Sequence, residues 1–81
     1  MENLRNRVWK EVKFYQKALV EAGLSDQVNT LPTMIDWDAV DRLDAMITAD
    51  YPNAKGMRDM VVSGALRDME DFARAGLGWD D

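Results

Sequence analysis

Leu4-Arg5-Asn6-Arg7-Val8-Trp9-Lys10-Glu11-Val12-Lys13-Phe14-Tyr15-Gln16-Lys17-Ala18-Leu19-Val20-Glu21-Ala22-Gly23 is the stretch that decides the fold. Leu4, Val8, Val12, Tyr15 and Leu19 follow one another at intervals of four, four, three and four residues. At about 100° per residue they fall within roughly 80° of arc, which is one face of an α-helix. Ala18 and Ala22 widen the stripe, and Gly23 stands where a left-handed C-cap belongs. Leu24 then supplies the apolar contact that closes such a cap. The spacing predicts a helix over 3–22.

Working outward, residues 25–33 carry turn chemistry in Ser25, Asp26, Asn29, Thr30 and Pro32, with room for one short helical turn pinned by Val28 and Leu31. Thr33 and Asp36 fit the looser form of the capping box and predict a second helix over about 34–50. Its stripe is Trp37, Val40, Leu43 and Ile47. Tyr51-Pro52-Asn53 breaks the pattern, because proline disfavours helix in the residue before it and Asn53 is a good N-cap. A third helix follows over about 54–75, with Val61, Val62, Ala65, Leu66, Met69, Phe72 and Ala73 on a broad arc that suits packing between two others. Ser63-Gly64 in its middle costs roughly 1 kcal/mol relative to alanine and predicts a kink or the close approach of a neighbour. Gly76 is the expected stop, leaving 76–81 as a flexible acidic tail. No strand pattern or internal repeat is present. The expectation is an all-α protein: a single-domain, small three-helix bundle spanning 1–81.

Composition narrows the function. The 81 residues allow one thin-cored domain and argue against an enclosed active site. With no cysteine there is neither a disulfide framework nor a thiolate metal site, and a small domain without such staples suits a reducing compartment. With no histidine the commonest general base and metal ligand are missing. The first seventeen residues lack the apolar core of a signal peptide, and no apolar run is long enough to cross a bilayer, so a cytoplasmic location is expected. The chain is read as non-enzymatic, with no cofactor and no metal ion.

The net charge of −5 is unevenly spread. Residues 1–24 carry a net of +2, and residues 25–81 a net of −7. Four aspartates fall within nine residues at the start of the second helix: Asp36, Asp38, Asp41 and Asp44. The last three recur every third residue and form an oblique ridge beside the apolar stripe. Aspartate is a mediocre helix former, and neighbouring like charges cost a few tenths of a kcal/mol each, so folding alone does not select this ridge. It is read as a contact for a basic partner surface, against an ordinary solvated face or a Mg²⁺ or Ca²⁺ site. An EF-hand loop counted from Asp36 fails, because Val40 and Asp41 occupy the positions that need an oxygen ligand and glycine.

Trp9 is flanked by Arg5, Lys10, Lys13 and Lys17. Basic residues around an aromatic serve nucleic-acid backbones, but the acidic remainder of the chain removes the long-range attraction. Pairing of this face with the acidic second helix, within one chain or between two, is the more economical reading. Trp37 reads as core and Trp9 as half-buried. Trp79, next to the terminal aspartates, either folds back on the bundle or is offered to a partner. Met57 and Met60 fall off the third stripe; methionine suits adaptable contact surfaces as well as core filling.

The candidate partner-binding residues are therefore Asp36, Asp38, Asp41, Asp44, Trp9 and Trp79. The expected function is a protein-interaction module that occupies a basic surface on a nucleic-acid-handling protein, without binding nucleic acid or membrane itself. Phage-encoded inhibitors that act in the host cytoplasm, anti-CRISPR proteins and DNA mimics among them, share this size and charge. The alternatives are a structural or regulatory helical homo-oligomer, of which a homodimer is the simplest, and a carboxylate-metal enzyme acting on phosphorylated small molecules.

Overall fold

The computed structural model describes residues 3–79. Three α-helices run α1 (Leu4–Glu21), α2 (Trp37–Asp50) and α3 (Lys55–Leu77), with short 3₁₀ turns at Ser25–Gln27 and Leu31–Met34 between the first two. No strand occurs among the described residues. This is the all-α three-helix bundle that the periodicity predicts.

The apolar stripe of α1 is buried as a whole: Leu4, Val8, Val12, Tyr15 and Leu19 face the other two helices. Asn3 caps its start, accepting from the Asn6 N–H. The Leu24 N–H donates to the Leu19 carbonyl at 2.8 Å and the Gly23 N–H to the Val20 carbonyl at 3.1 Å, with Gly23 at φ +79°. That pair of bonds is the Schellman closure, and it turns the chain sharply out of the helix. Gln16 then holds the link by donating from Nε2 to the Val28 carbonyl, and Leu31 and Ile35 plug the bundle beneath it.

The capping box at Thr33 does not form. Pro32 favours a 3₁₀ turn over Leu31–Met34, inside which the Thr33 hydroxyl donates to the Thr30 carbonyl. Ile35 is extended, so the helix restarts one turn later, with the Asp36 side chain accepting from the Ala39 N–H. Two further boundaries differ from expectation. Asn53 does not cap α3 through its side chain; its backbone carbonyl accepts from Lys55 N–H, and Ala54 occupies the cap position. Gly76 does not end α3. The stop is Gly78 at φ +73°, where the Trp79 N–H bonds the Arg74 carbonyl and the Gly78 N–H bonds that of Ala75. Gly76 serves instead for close approach: a Cβ there would lie 2.9 Å from Gln27 Oε1.

Contacts of Arg7 with Asp59 and of Tyr15 with Glu70 align α1 and α3 in parallel, whereas Arg5 with Asp41 and Trp9 with Trp37 set α2 antiparallel to α1. On α3, Val62, Leu66, Met69 and Ala73 are buried between the other helices. Val61 and Ala65 are only half-buried, and Phe72 is exposed. On α2, Val40 and Ile47 are core while Leu43 is exposed. The apolar arcs of α2 and α3 are thus wider than the bundle covers.

Candidate interaction surface

The ridge on α2 divides by function within the fold. Asp38 points to solvent. Asp41 receives two hydrogen bonds from Arg5, at 3.1 Å from Nε and 2.7 Å from Nη2, in the fork geometry suited to a carboxylate. These bonds hold the Asp41 carboxyl below its ordinary value. Asp44 is the exception to an exposed ridge. Its side chain is only 19% exposed, and it accepts from the Leu4 N–H of α1, from Arg58 Nη1 of α3 at 2.9 Å and from the Thr48 hydroxyl. Arg58 is itself buried, donates from Nη2 to Thr48 at 2.7 Å, and has no acceptor for Nε. Asp44 therefore ties all three helices together. Its periodic placement beside Asp41 gave no sign of this, because the partner comes from the next helix.

Arg5 also lies over the Trp37 ring, 5.0 Å from its centroid, and Trp37 stacks on Trp9 at 4.9 Å and 18°. The Trp37 indole N–H donates to the Pro32 carbonyl. The basic and aromatic residues of α1 nearest α2 are thus engaged within one molecule, as the economical pairing expects. Trp37, expected in the core, is half-buried as one layer of this stack. Trp79 leans on Phe14 and Tyr15, with centroids 6.3 and 6.0 Å away, and remains 47% exposed. The last two aspartates of the expected tail lie outside the described residues.

What the sequence reading did not assemble is a groove between α2 and α3. Asp36, Ala39, Val40 and Leu43 form one wall, and Met60, Val61, Gly64 and Ala65 the other, around about 380 Å³. Met60 is 75% exposed, and among the described residues nothing beyond the local backbone of α3 comes within 4 Å of where a Gly64 Cβ would be. Met46 and Met57, both exposed, continue the two walls by one helical turn. The signal available beforehand was that Met57, Met60 and Gly64 broke the rules of a core-facing stripe.

Internal pairing also decides which charges are left over. Arg5 binds Asp41, Arg7 and Lys55 bind Asp59, and Arg58 binds Asp44. Among the described residues, no cation lies within ion-pair distance of Asp36, Asp38, Asp50, Asp68 or Asp71. All five are exposed on α2 and α3, whereas Lys13 and Lys17 face solvent on the back of α1. No group of three or more acidic residues among the described ones is placed to hold a metal ion. No helix among them is long and apolar enough to cross a membrane. No protein family, curated protein or solved structure matches this chain.

Proposed function

We propose that this chain is a non-enzymatic acidic interaction module, acting in the cytoplasm, that occupies and blocks a basic surface on a nucleic-acid-handling protein. The observation that carries the reading is the segregation of charge after internal pairing. The unpaired aspartates lie on α2 and α3, where exposed Arg42 and Arg67 offset only part of their charge, whereas on α1 exposed Lys13 and Lys17 are matched by exposed Glu11 and Glu21. A surface of one sign steers encounter with a surface of the other and repels phosphate backbones. Homo-oligomerisation through α1 and α2 finds less support, because Arg5 and Asp41 already satisfy each other within one chain.

Affinity capture with mass-spectrometric identification tests this, comparing wild type with Asp38→Lys/Asp68→Lys/Asp71→Lys. None of the three aspartates makes an internal ion pair, and circular dichroism checks that the variant keeps its helix content. The expected partner handles nucleic acid through a basic surface, and its capture falls at least tenfold in the variant and declines with salt in the wild type. Equal capture by the variant at low salt overturns the proposal.

A further inference from the structure

Val61, Ala65 and Leu43 are apolar, line the cleft between α2 and α3, and are only partly covered by the described chain. The methionine lips beside them are among the most exposed apolar side chains of the molecule. Gly64 makes the case sharper. Glycine in the interior of a 23-residue helix is a cost to folding, and such a residue is usually repaid by a turn, a kink or a neighbouring backbone. Here α3 runs unbroken through Gly64, the residue has no positive φ, and no other element among the described residues approaches it. Its missing side chain leaves open only the floor of the groove.

From this geometry we infer that the groove between α2 and α3 seats an amphipathic helix of the partner, one whose apolar stripe is flanked by lysine or arginine. The inference rests on the interaction-module reading and names its docking site. Three features select this occupant. From Asp36 to Met46 the α2 wall runs about 15 Å at 1.5 Å per residue, the length of three helical turns with anchors at i, i+3 or i+4, and i+7. Exposed methionines adapt to the side chains of an incoming helix, and Gly64-Ala65 lets its backbone come close. Asp36 lines the groove, and exposed Asp68 (four residues after Gly64) and Asp50 (seven after Leu43) continue its two walls, which favours a basic flank. A second copy of this chain would set that acidic rim against itself, and an anionic lipid surface would be repelled.

The probes are three synthetic 18-residue peptides: a leucine stripe flanked by lysines, the same stripe flanked by glutamates, and a scramble of the first with no apolar face. The readout is the methyl NMR spectrum of protein labelled at methionine. The lysine peptide shifts Met46, Met57 and Met60 saturably and leaves core Met69 in place, while the other two peptides leave all four unmoved. Gly64→Leu, whose Cβ has open space, projects a side chain into the groove and raises the dissociation constant at least tenfold, with no loss of melting temperature. Equal shifts with the scramble, unmoved groove methyls, or unchanged affinity in Gly64→Leu overturn the inference. So does sedimentation showing a dimer that Met60→Glu dissociates, since the occupant is then a second copy. If Gly64→Leu leaves cellular capture intact while the triple lysine variant abolishes it, the groove assignment falls and the proposed function stands.

Discussion

Replacing Asp44 with alanine removes the carboxylate on which α1, α2 and α3 converge. Arg58 is 9% exposed in its side chain and would keep its charge with no counter-ion, its Nε already lacking an acceptor. Breaking a buried pair from one side costs about 3–5 kcal/mol. The Leu4 N–H also loses its acceptor, which is worth about 1 kcal/mol more if water does not replace it. A domain of this size has a total stability of about 4–8 kcal/mol, so Asp44→Ala is expected to sit at the edge of unfolding at room temperature. Asp44→Asn keeps an acceptor for Leu4 and falls between, at about 2 kcal/mol. Asp44→Leu combined with Arg58→Met removes both charges and should recover most of the loss, within about 1–2 kcal/mol of wild type. Urea unfolding followed by circular dichroism measures all four proteins. Asp44→Ala within 1 kcal/mol of wild type, or a double variant as unstable as the alanine single, refutes the buried-tie account. Asp68→Asn is the internal control: the side chain is exposed and makes no ion pair, and its melting temperature should match wild type.

Gly64→Ala should raise stability by up to about 1 kcal/mol, read as an increase in melting temperature, because the methyl meets no other described element within 4 Å and the helix gains propensity. Gly23→Val should cost about 1 kcal/mol or more in urea unfolding, since a β-branched residue resists φ +79° and the Schellman bonds need that conformation. Acid should weaken the fold through Asp41, held below its ordinary value by Arg5, and Asp59, held below it by Lys55 and then Arg7. A carboxyl depressed in the folded state contributes fully above its unfolded value, near 3.8, and loses that contribution as pH falls through the folded one. The fall in melting temperature between pH 5 and pH 2.5 should therefore shrink in Asp41→Asn/Asp59→Asn; an unchanged fall would place the acid sensitivity elsewhere.

The parts of this fold that were legible in the sequence are those governed by neighbours a few residues away. The stripe of α1 and the closure at Gly23 depend on spacing and on one backbone conformation, and both follow from residues 4–24 alone. The start of α2 was less legible because Thr33 and Asp36 are both competent caps. Pro32, Leu31 and Ile35 decide between them by building a buried 3₁₀ turn, a tertiary preference that no local rule contains. Gly76 and Gly78 pose the same ambiguity, settled by the approach of Gln27 from a distant turn. The acidic ridge was visible as a pattern, yet its division into solvent-facing Asp38, tethered Asp41 and half-buried Asp44 depends on Arg5 and Arg58 arriving from other helices. The groove escaped because periodicity assigns every apolar residue on a stripe to the core, and Leu43 and Val61 satisfy the stripe while being only partly covered.

The parallel alignment of α1 with α3 bears on how the protein is made. Arg7 meets Asp59 and Tyr15 meets Glu70, partners separated by 52 and 55 positions in the chain. A ribosome releases α1 first, with its stripe of Leu4, Val8, Val12, Tyr15 and Leu19 still bare, and α2 can shelter only one flank of it. Closing so long a loop carries its entropy cost before any of the packing that offsets it exists. Met69 and Ala73, in the last turns of α3, complete the cover over that stripe. Nascent chains stalled before those turns emerge should remain protease-sensitive and open to chaperones, so α1 reaches its native packing only when α3 is in place.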